Sequence, residues 1–571
     1  MSARRKRWVL REPAPPEFVA ELAYSPIVSN LLYQRDMRDK QAAEEFLHSD
    51  YRTGLHDPFL MKDMDIASAR IARAIKNGEP MAVYGDYDTD GVTAVALLMQ
   101  AIPAMGGNLR PYIPHRVREG YGLNREAVER LANEGISLLI TVDCGISNVA
   151  EVARARELGI DVVVTDHHSP PEELPQANAV VNPKQKNCSY PYNQLVGVGI
   201  AYKLVQAIVR QGICLPLRGR DLLDVVAVGT VTDMGPLTGE NRVLVKHGLE
   251  ALNATTRPGL RALINASGLT MGKIKASDIG FGLGPRINAA GRLDDATRSY
   301  DLLLAEDLAS AEKLAFELNR ANRQRQDLTK EVQEHAKALA ESDGTLENRI
   351  IIIAGEDYPA GVVGLVAGRL VEEWGRPVLI LERKADVSVG SARSVSGFNI
   401  IEALRRCGDL FVRYGGHSMA AGFTIENAKL PELNRRLQAI AAEELSDEML
   451  VPKLEIDLEI PLSEVSWELI QLLATLEPYG QANPQPVFMS RNLRVVSAQA
   501  TGADKQHLSM MVNDGSDKPP FKAIAFRLGH LAPALARYPY IDLAYHVEER
   551  EWNGERSIQL NVRDFRRATQ A

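Results

Sequence analysis

Short apolar runs alternate with helix-like stretches from about residue 80 to residue 170. The apolar runs are MAVYG (81–85), LRPYIP (109–114), SLLITV (137–142) and DVVVT (161–165). Between them, apolar residues recur with a helical period, and glycines follow the ends of the predicted helices. This βαβ rhythm predicts a parallel sheet with helices on both faces.

Later parts of the chain have other patterns. Residues 196–265 have a largely helical pattern, and residues 303–342 contain no glycine or proline, which predicts one long helix between two domains. A second α/β pattern covers about residues 349–445. In about residues 455–567, short strands are separated by turn signals such as NDGSD and WNGE, the pattern of a small antiparallel barrel of OB type.

The chain has 571 residues, too many for one hydrophobic core. We therefore predict an α/β protein of five segments: a helical lead-in, a parallel-sheet domain, a long connecting helix, a second α/β domain, and a C-terminal β-barrel. Their predicted bounds are 1–50, 51–300, 301–345, 346–450 and 451–571.

Charge and cysteine usage narrow the class of protein. The formal net charge is −8, so the chain lacks the overall basic character of a protein that coats nucleic acid, although a local basic groove is compatible with it. No stretch reaches the roughly 18 apolar residues that cross a membrane, and we expect no signal peptide and no membrane association. The four cysteines are scattered without a CxxC pair, which suits a reducing cytoplasm.

The stretch YGDYDTDG, residues 84–91, carries three aspartates at alternate positions. A calcium loop of the EF-hand type would need an acid at its twelfth position, and counting from Asp86 that position is Leu97. The preceding MAVYG is also a predicted strand and not a helix. The calcium interpretation therefore fails, and Asp86, Asp88 and Asp90 need another explanation.

Acids and histidines also follow the other predicted strands. Asp143 ends SLLITV, and Asp166, His167 and His168 end DVVVT. Asp233 is placed less directly, because it follows the apolar run LLDVVAVGTVT. Each alone is compatible with a helix cap or a turn. Because parallel strands end at the same edge of a sheet, where ligands bind, we expect these side chains to form one site.

Converging carboxylates stay ionised together only when cations neutralise them. Oxygen-rich sites with one or two imidazoles suit Mn²⁺ or Mg²⁺ better than Zn²⁺. The side chains are numerous enough for two ions that share a bridging carboxylate. Two such ions lower the pKa of a bound water and stabilise the leaving oxygen at phosphorus, so the sequence predicts hydrolysis of a phosphoester.

The motifs VYGDYDTDG, TVDCGIS, VTDHH and GTVTDM, in this order, resemble the four motifs of the DHH phosphoesterase superfamily. IPHRVREGYGL, GFGLGPRINAAGRLDDA, GSARSVSGFNI and RYGGHSMAAGF narrow the resemblance to the bacterial RecJ exonuclease family. The resemblance runs from about residue 50 to the end of the chain. It implies a DHH domain and a DHH-associated domain joined by the long helix, with the barrel as an OB-type DNA-binding domain.

The resemblance also implies an activity: a 5′-to-3′ exonuclease that releases mononucleotides from single-stranded DNA, with two Mn²⁺ or Mg²⁺ ions, in DNA repair and recombination. The implied metal ligands are Asp86, Asp88, Asp90, Asp143, His167 and Asp233. Asp143 would bridge an ion held by Asp86 and Asp88 and an ion held by the other three ligands. His168 would lie beside the scissile phosphate, and the implied catalytic residues are Asp143, His168 and Arg286. Implied partners are single-strand DNA-binding protein and a RecQ-type helicase, and we expect a cytoplasmic monomer.

Several polar residues outside the acidic motifs are candidates for holding the strand. Arginine can hold a phosphate through two hydrogen bonds, although an arginine at a domain seam can also make structural ion pairs. A glycine pair before a predicted helical run can present backbone N–H groups to a phosphate. The candidate substrate-binding residues are Arg286, Asn288, Arg292, Ser391, Arg393, Gly415, Gly416 and His417. In the barrel, we expect most of Phe521, Phe526, Tyr538, Tyr540, Tyr545 and Trp552 to be core residues.

Two alternatives remain: another DHH enzyme with a different substrate, and a protein of a non-catalytic class. A DHH enzyme that acts on short RNA or on cyclic dinucleotides would use the same metal site, but such proteins typically end after the second α/β domain. A non-catalytic replication scaffold, like the eukaryotic helicase subunit that resembles RecJ, would lack several of the metal ligands. The barrel pattern and the full set of acids therefore favour the exonuclease.

Overall fold

The computed structural model describes residues 6–116, 118–293, 295–516, 518–552 and 554–568. The chain divides into two compact units. The smaller unit comprises Arg7, Arg286–Arg298 and Ala315–Lys453, and the larger unit comprises Trp8–Pro285, Ser299–Leu314 and the chain from Leu454 onward. Each unit contains hydrophobic cores of its own.

A five-stranded parallel sheet forms the centre of the α/β part of the larger unit. The elements up to its last strand are β1 (Arg7–Leu10), α1 (Pro16–Leu22), α2 (Pro26–Tyr33), α3 (Lys40–His48), α4 (Met64–Asn77), β2 (Pro80–Gly85), α5 (Thr89–Ala104), β3 (Asn108–Tyr112), α6 (Arg125–Asn133), β4 (Leu138–Val142), α7 (Val149–Glu157), β5 (Asp161–Thr165) and β6 (Ala179–Val181). The strand order is β3-β2-β4-β5-β6, and all neighbours run parallel. All four apolar runs that predicted strands form strands of this sheet.

Helices cover both faces of this sheet, as the βαβ pattern predicts. One face carries Tyr84, Leu139 and Val162, which pack with the apolar residues of α6 and α7. Helices α4 and α5 contact the sheet as well, and α5 is buried along most of its length. A parallel sheet buried on both faces explains why β2, β4 and β5 are near-continuous apolar runs and not alternating ones.

The region after the sheet is helical, as predicted. Its helices are α8 (Gly197–Arg210), α9 (Leu223–Thr232), α10 (Gly239–Asn253), α11 (Pro258–Ala266), α12 (Ala276–Asp278), α13 (Gly284–Leu293), α14 (Thr297–Leu303) and α15 (Leu308–Ser342). The predicted helix over 303–342 is wrong at its start, because α14 ends at Leu303 and α15 has 35 residues. The carboxylate of Asp307 accepts a hydrogen bond from the Ser310 N–H at 2.9 Å, which is an N-cap that begins a new helix. Among the described helices, none is both long and apolar enough to cross a membrane.

The smaller unit contains a mixed sheet. Its elements are β7 (Ile351–Gly355), α16 (Ala360–Trp374), β8 (Val378–Arg383), β9 (Val387–Arg393), α17 (Ile400–Arg405), β10 (Phe411–His417), β11 (Ala420–Glu426) and α18 (Leu430–Glu444). The strand order is β10-β11-β9-β8-β7, and only β7 and β8 run parallel. The helical run predicted after the glycine pair of GGHSMAAG is wrong, because Ala421, Phe423 and Ile425 alternate into the core as a strand.

The C-terminal part of the larger unit is a closed barrel, as the strand pattern predicts. Its elements are β12 (Lys453–Ile456), β13 (Leu458–Glu459), α19 (Trp467–Ala474), β14 (Phe488–Thr501), β15 (His507–Asn513), β16 (Phe521–Ala525), α20 (Ala532–Arg537), β17 (Tyr540–Trp552) and β18 (Glu555–Arg567). The strands follow the order β14-β15-β16-β18-β17, and β17 pairs again with β14 to close the barrel. Strand β1 pairs with β12.

The expectation that most barrel aromatic residues lie in the core is wrong. Tyr545 is fully buried, and Phe521 packs partly against the barrel core. Phe526, Tyr538 and Tyr540 are 55%, 41% and 49% exposed. The side chain of Trp552 lies outside the described part of the chain. Aromatic residues enter strands whether they face inward or outward, so strand patterns alone do not separate the two.

Arg242 on α10 connects three parts of the larger unit. Its guanidinium is buried and donates to the carbonyl oxygens of Phe46, Leu476 and Glu477 at 2.8, 3.0 and 2.8 Å. The guanidinium also lies over the Phe46 ring, with its central carbon 3.8 Å from the ring centre. One side chain therefore ties the N-terminal helices and the segment before the barrel to the helical region.

We expect Arg242→Met to lower the free energy of unfolding by about 3 kcal/mol or more, because three buried carbonyl groups lose their donors. Urea unfolding of the metal-free protein, followed by circular dichroism, measures the loss. Arg218→Met is the matched control, since that side chain is 86% exposed and pairs with Asp221 on the surface. Equal unfolding midpoints for the two variants would contradict the role of Arg242.

Candidate metal centre and arginine cluster

The first three aspartates lie where β2 ends and α5 begins. The Asp88 carboxylate caps α5 by accepting from the N–H groups of Asp90 and Gly91 at 2.9 and 3.2 Å. A Cβ atom on Gly91 would lie 2.6 Å from the Asp86 backbone nitrogen. Glycine is therefore needed here for close backbone approach, which allows the tight entry into α5 that the sequence predicts.

Asp143 follows β4 in a strained conformation. Its backbone has a φ of 58°, the left-handed region, and its side chain is buried. A non-glycine residue in this region costs on the order of 1–3 kcal/mol, and such residues cluster at functional sites. The next residue, Cys144, is buried in the core beside Tyr84, as expected for a packing residue.

His167 brings acids from three elements together. Its Nε2 atom lies 2.9 Å from an Asp143 oxygen and 3.7 Å from oxygens of both Asp90 and Asp233. Asp233 reaches this point from the C-terminal end of α9, so it is placed by a helix end and not by a strand end.

Three groups of side chains have ligand atoms that lie within 4.8 Å of one another. They are Asp86 with Asp88 and Asp143, Asp90 with His167 and Asp233, and Asp143 with His167 and His168. We call the seven residues together the metal centre. The structure thus brings together all six predicted ligands and His168, and Asp143 and His167 each belong to two of the groups. The bridging role of Asp143 stays a prediction.

Electrostatics show why this cluster fits cations. Burial and neighbouring carboxylates raise the pKa of Asp90 to about 7 and of Asp233 to about 9, and they raise the pKa of Asp143 well above its usual range. One Asp86 oxygen is buried without a hydrogen-bond partner in the described part of the chain. Burial and the neighbouring His168 lower the pKa of His167 to about 3, so this imidazole is neutral and able to coordinate a metal.

Asp166 and Tyr121 orient His168. The sequence placed Asp166 at the site without a role there, and it gave Tyr121 no role. The buried Asp166 carboxylate accepts from the backbone N–H groups of His167 and His168 at 2.7 and 3.0 Å, and it lies 2.8 Å from His168 Nδ1. The Tyr121 hydroxyl lies 3.1 Å from the same nitrogen. Two features of the sequence could have indicated these roles: Asp166 directly precedes the two histidines, and Tyr121 lies in the motif IPHRVREGYGL.

The smaller unit contains a separate group of cationic side chains, the arginine cluster, formed by Arg286, Arg323, Arg325 and Arg369. Burial and the charge of Arg323 lower the pKa of Arg286, and burial with the charges of Arg369 and Arg286 lowers the pKa of Arg325. Burial and the charge of neighbouring arginines both disfavour the charged forms of Arg286 and Arg325, and an anionic partner would offset this cost. Only Arg286 of this cluster was a candidate from the sequence.

Ser391 and Arg393 lie together on β9. Arg393 donates to the Ser391 hydroxyl at 2.9 Å, and burial lowers the pKa of its guanidinium. A Cβ atom on Gly364 of α16 would lie 3.0 Å from both the Arg393 guanidinium and the Ser391 hydroxyl. The helix therefore packs closely against this pair because residue 364 has no side chain.

Two of the other strand-holding candidates, Arg292 and Gly416, have evident structural contacts. Arg292 donates to the Gly361 carbonyl at 3.3 Å, which joins α13 to α16. Gly415, Gly416 and His417 lie on β10, an exposed edge strand, and a Cβ atom on Gly416 would collide with the neighbouring strand β11. The argument from a helix N-terminus is therefore wrong for this glycine pair, while its predicted part in substrate binding stays a prediction, as does that of Asn288.

Comparisons with known proteins connect these features. The chain is 37% identical over 569 residues to the single-stranded-DNA-specific exonuclease RecJ of Bacillus subtilis, covering 99% of this chain and 71% of that protein. It is 34% identical to the Escherichia coli protein of the same name, covering 94% and 95% of the two chains. The chain belongs to the RecJ family.

Solved RecJ structures agree with this assignment. The structure of RecJ from Thermus thermophilus in complex with Mn²⁺ matches with a TM-score of 0.84 at 32% identity, covering 99% of this chain and 80% of that one. The same protein in complex with Mg²⁺ matches with a TM-score of 0.77. The predicted cofactors, divalent Mn²⁺ or Mg²⁺ ions, are therefore confirmed by RecJ structures and by the ligand groups of the metal centre.

Family models match three parts of this chain. The N-terminal domain of the DHH family matches residues 80–230, the DHHA1 domain matches 347–443, and the RecJ OB domain matches 456–564. The predicted fold class, with a parallel-sheet DHH domain, a second α/β domain and an OB-type barrel, is confirmed. The five predicted domain bounds stay a prediction.

We expect Asp143→Asn to abolish stabilisation by Mn²⁺, because this carboxylate belongs to two of the ligand groups. Mn²⁺ at 100 times its dissociation constant stabilises a binding protein by about 2.7 kcal/mol, which a thermal melt detects. In the absence of metal, the variant should melt at or above the wild-type temperature, since one repelling charge is gone. Asp65→Asn, an exposed position on α4, is the control. If Mn²⁺ stabilised the Asp143 variant as much as the wild type, the metal centre would be wrongly placed.

Proposed function

We propose that this RecJ family protein is a metal-dependent exonuclease that degrades single-stranded DNA from the 5′ end and releases mononucleotides. The metal centre carries the proposal, because seven ligand-type side chains from four separate segments meet at the carboxyl edge of the parallel sheet. The relatives named as single-stranded-DNA-specific exonucleases support the substrate class. The 5′ polarity rests on the resemblance of the motifs to the family.

The ligands for the proposed ions are Asp86, Asp88, Asp90, Asp143, His167 and Asp233. Bound divalent ions would lower the pKa of a water nucleophile and offset negative charge at phosphorus. The protein contributes a largely buried set of carboxylates and a neutral His167. Asp166 holds Nδ1 of His168, which leaves Nε2 of that ring as the atom that can donate to a phosphate oxygen.

The arginine cluster and the Ser391–Arg393 pair support phosphate binding in the smaller unit. Guanidinium groups bind phosphate with two parallel hydrogen bonds, and the hydroxyl of Ser391 adds a further donor. We infer that Arg286, Arg393 and Ser391 hold phosphates of the strand, with Asn288, Arg292, Gly415, Gly416 and His417 as the remaining candidates.

The barrel favours a long single strand as the substrate over a very short oligonucleotide or a cyclic dinucleotide. The RecJ OB model matches residues 456–564, and OB folds bind single strands by stacking and charge. The exposed Phe526, Tyr538 and Tyr540 supply aromatic surface there. An enzyme for short RNA or cyclic dinucleotides would have no use for this barrel. The proposal also includes a cytoplasmic location, a monomeric state and a role in repair and recombination. We further propose association with single-strand DNA-binding protein and a RecQ-type helicase.

The decisive assay follows strands labelled at the 5′ or the 3′ end, as single strands or duplexes, in DNA or RNA, with Mn²⁺ present. We expect a 5′ label on single-stranded DNA to appear at once as mononucleotide, while a 3′ label stays on progressively shorter strands. Release of the 3′ label first, or equal activity on duplex DNA, would overturn the proposed polarity or specificity.

We expect Arg393→Gln to lower kcat/KM on single-stranded DNA by roughly 10- to 100-fold, the effect of losing a charge-assisted hydrogen bond to a phosphate. The variant should also weaken the dependence of DNA affinity on salt, because one fewer counterion is released. Arg383→Gln, at an exposed position on the adjacent strand β8, is the control and should retain wild-type kinetics. Unchanged kcat/KM in the Arg393 variant would remove this residue from the substrate site.

A further inference from the structure

Helix α8 begins directly against the metal centre. Its N-cap residue, Val196, provides no side-chain cap, so the first N–H groups of the helix need other acceptors. The Gly197 N–H donates to one Asp90 oxygen at 2.6 Å, and the Val198 N–H donates to the other at 2.8 Å. A carboxylate from α5 thus caps a helix that begins more than a hundred residues later.

Two glycines make this approach possible. A Cβ atom on Gly197 would lie 2.6 Å from the Asp143 Cβ atom and 2.9 Å from an Asp90 oxygen. A Cβ atom on Gly229 of α9 would lie 2.7 Å from a Val198 methyl group and 3.2 Å from the other Asp90 oxygen. Both glycines lie within α-helices, so space and not backbone conformation requires them.

We propose that Gly197, supported by Gly229, is a positioning residue of the metal centre that holds Asp90 in the orientation required for metal binding. The inference rests on the proposed function. Because residue 197 has no side chain, two N–H groups of α8 can donate to both oxygens of Asp90. The Asp143 side chain occupies the space that a Cβ atom on residue 197 would need. The positive end of the α8 dipole also favours the ionised carboxylate.

This arrangement acts on metal binding through orientation. A carboxylate held at both oxygens loses little freedom when it coordinates an ion, since each oxygen keeps a further lone pair. Partners that orient metal ligands typically contribute 10- to 100-fold to metal affinity or activity. Because Gly197 lies against both Asp90 and Asp143, one added methyl group would displace a ligand from each of two groups of the centre.

The test is Gly197→Ala, measured by Mn²⁺ titration of the DNA-free protein with electron paramagnetic resonance of free Mn²⁺. We expect roughly 10- to 100-fold weaker Mn²⁺ binding. The kcat on single-stranded DNA should fall at low Mn²⁺ and recover in part at high Mn²⁺, while DNA affinity without metal stays at the wild-type level. Unchanged Mn²⁺ affinity in a folded variant would overturn the inference.

Gly199→Ala is the matched control, two residues further along α8. A Cβ atom there meets only the Leu195 side chain, at 3.3 Å or more, so Mn²⁺ affinity should equal that of the wild type. If the wild type itself bound no Mn²⁺, the proposed function would fail. If wild type, control and Gly197→Ala all bound Mn²⁺ equally, only the positioning role would fail.

A second variant decides the question if Gly197→Ala does not fold. Val198→Pro removes the donor to one Asp90 oxygen and adds no atom to residue 197. Proline is tolerated in the first turn of a helix, and α18 and α20 of this chain both carry proline at their second residue. We expect weakened Mn²⁺ binding here too, and wild-type affinity in Val198→Pro would overturn the inference.

Discussion

The burial of several carboxylates beside one another at the edge of the parallel sheet is the constraint on which the candidate site depends. Asp86, Asp90, Asp143 and Asp233 all have raised pKa values, chiefly because of burial, with neighbouring acids adding to it. The charge of Lys184 acts to lower the pKa of Asp233, yet that pKa stays at about 9. Local basic side chains therefore do not offset the cost of burying these charged carboxylates together, and divalent cations are the partners that such a cluster fits.

The sheet and the acids at its edge could be predicted because two general properties of parallel sheets agree there. Strands buried on both faces appear as continuous apolar runs, and parallel strands place their carboxyl ends at one edge. Asp86, Asp143 and His167 all follow such runs. Asp233 follows a similar run that is in fact helix α9, rich in β-branched residues, and a helix end has no fixed relation to a sheet edge. The pattern therefore connected Asp233 to the site less directly than the other acids, and its place among the metal ligands came from the motif resemblance.

The remaining features depend on contacts between distant parts of the sequence. Arg325 and Arg369 join the arginine cluster from two different helices, and nothing in the sequence near either residue indicates the other. The hairpin around Gly416 was mistaken for a helix start because small residues fit both structures. Arg242 has no acidic partner among its hydrogen-bond acceptors, all of which are backbone carbonyls or the Ser49 hydroxyl, so no charge pattern marks it as a core residue.

The metal centre breaks local rules of stability at several adjacent positions. Glycine in the middle of a helix costs roughly 0.5–1 kcal/mol relative to alanine, and α9 carries Gly229 there, beside Asp90. The left-handed Asp143 adds on the order of 1–3 kcal/mol of backbone strain. These unfavourable contributions come from residues within a few ångströms of the carboxylates that repel one another. The surrounding sheet and helices are apolar and closely packed. A stable framework that carries concentrated local strain is the arrangement expected where selection acts on ligand geometry and not on folding.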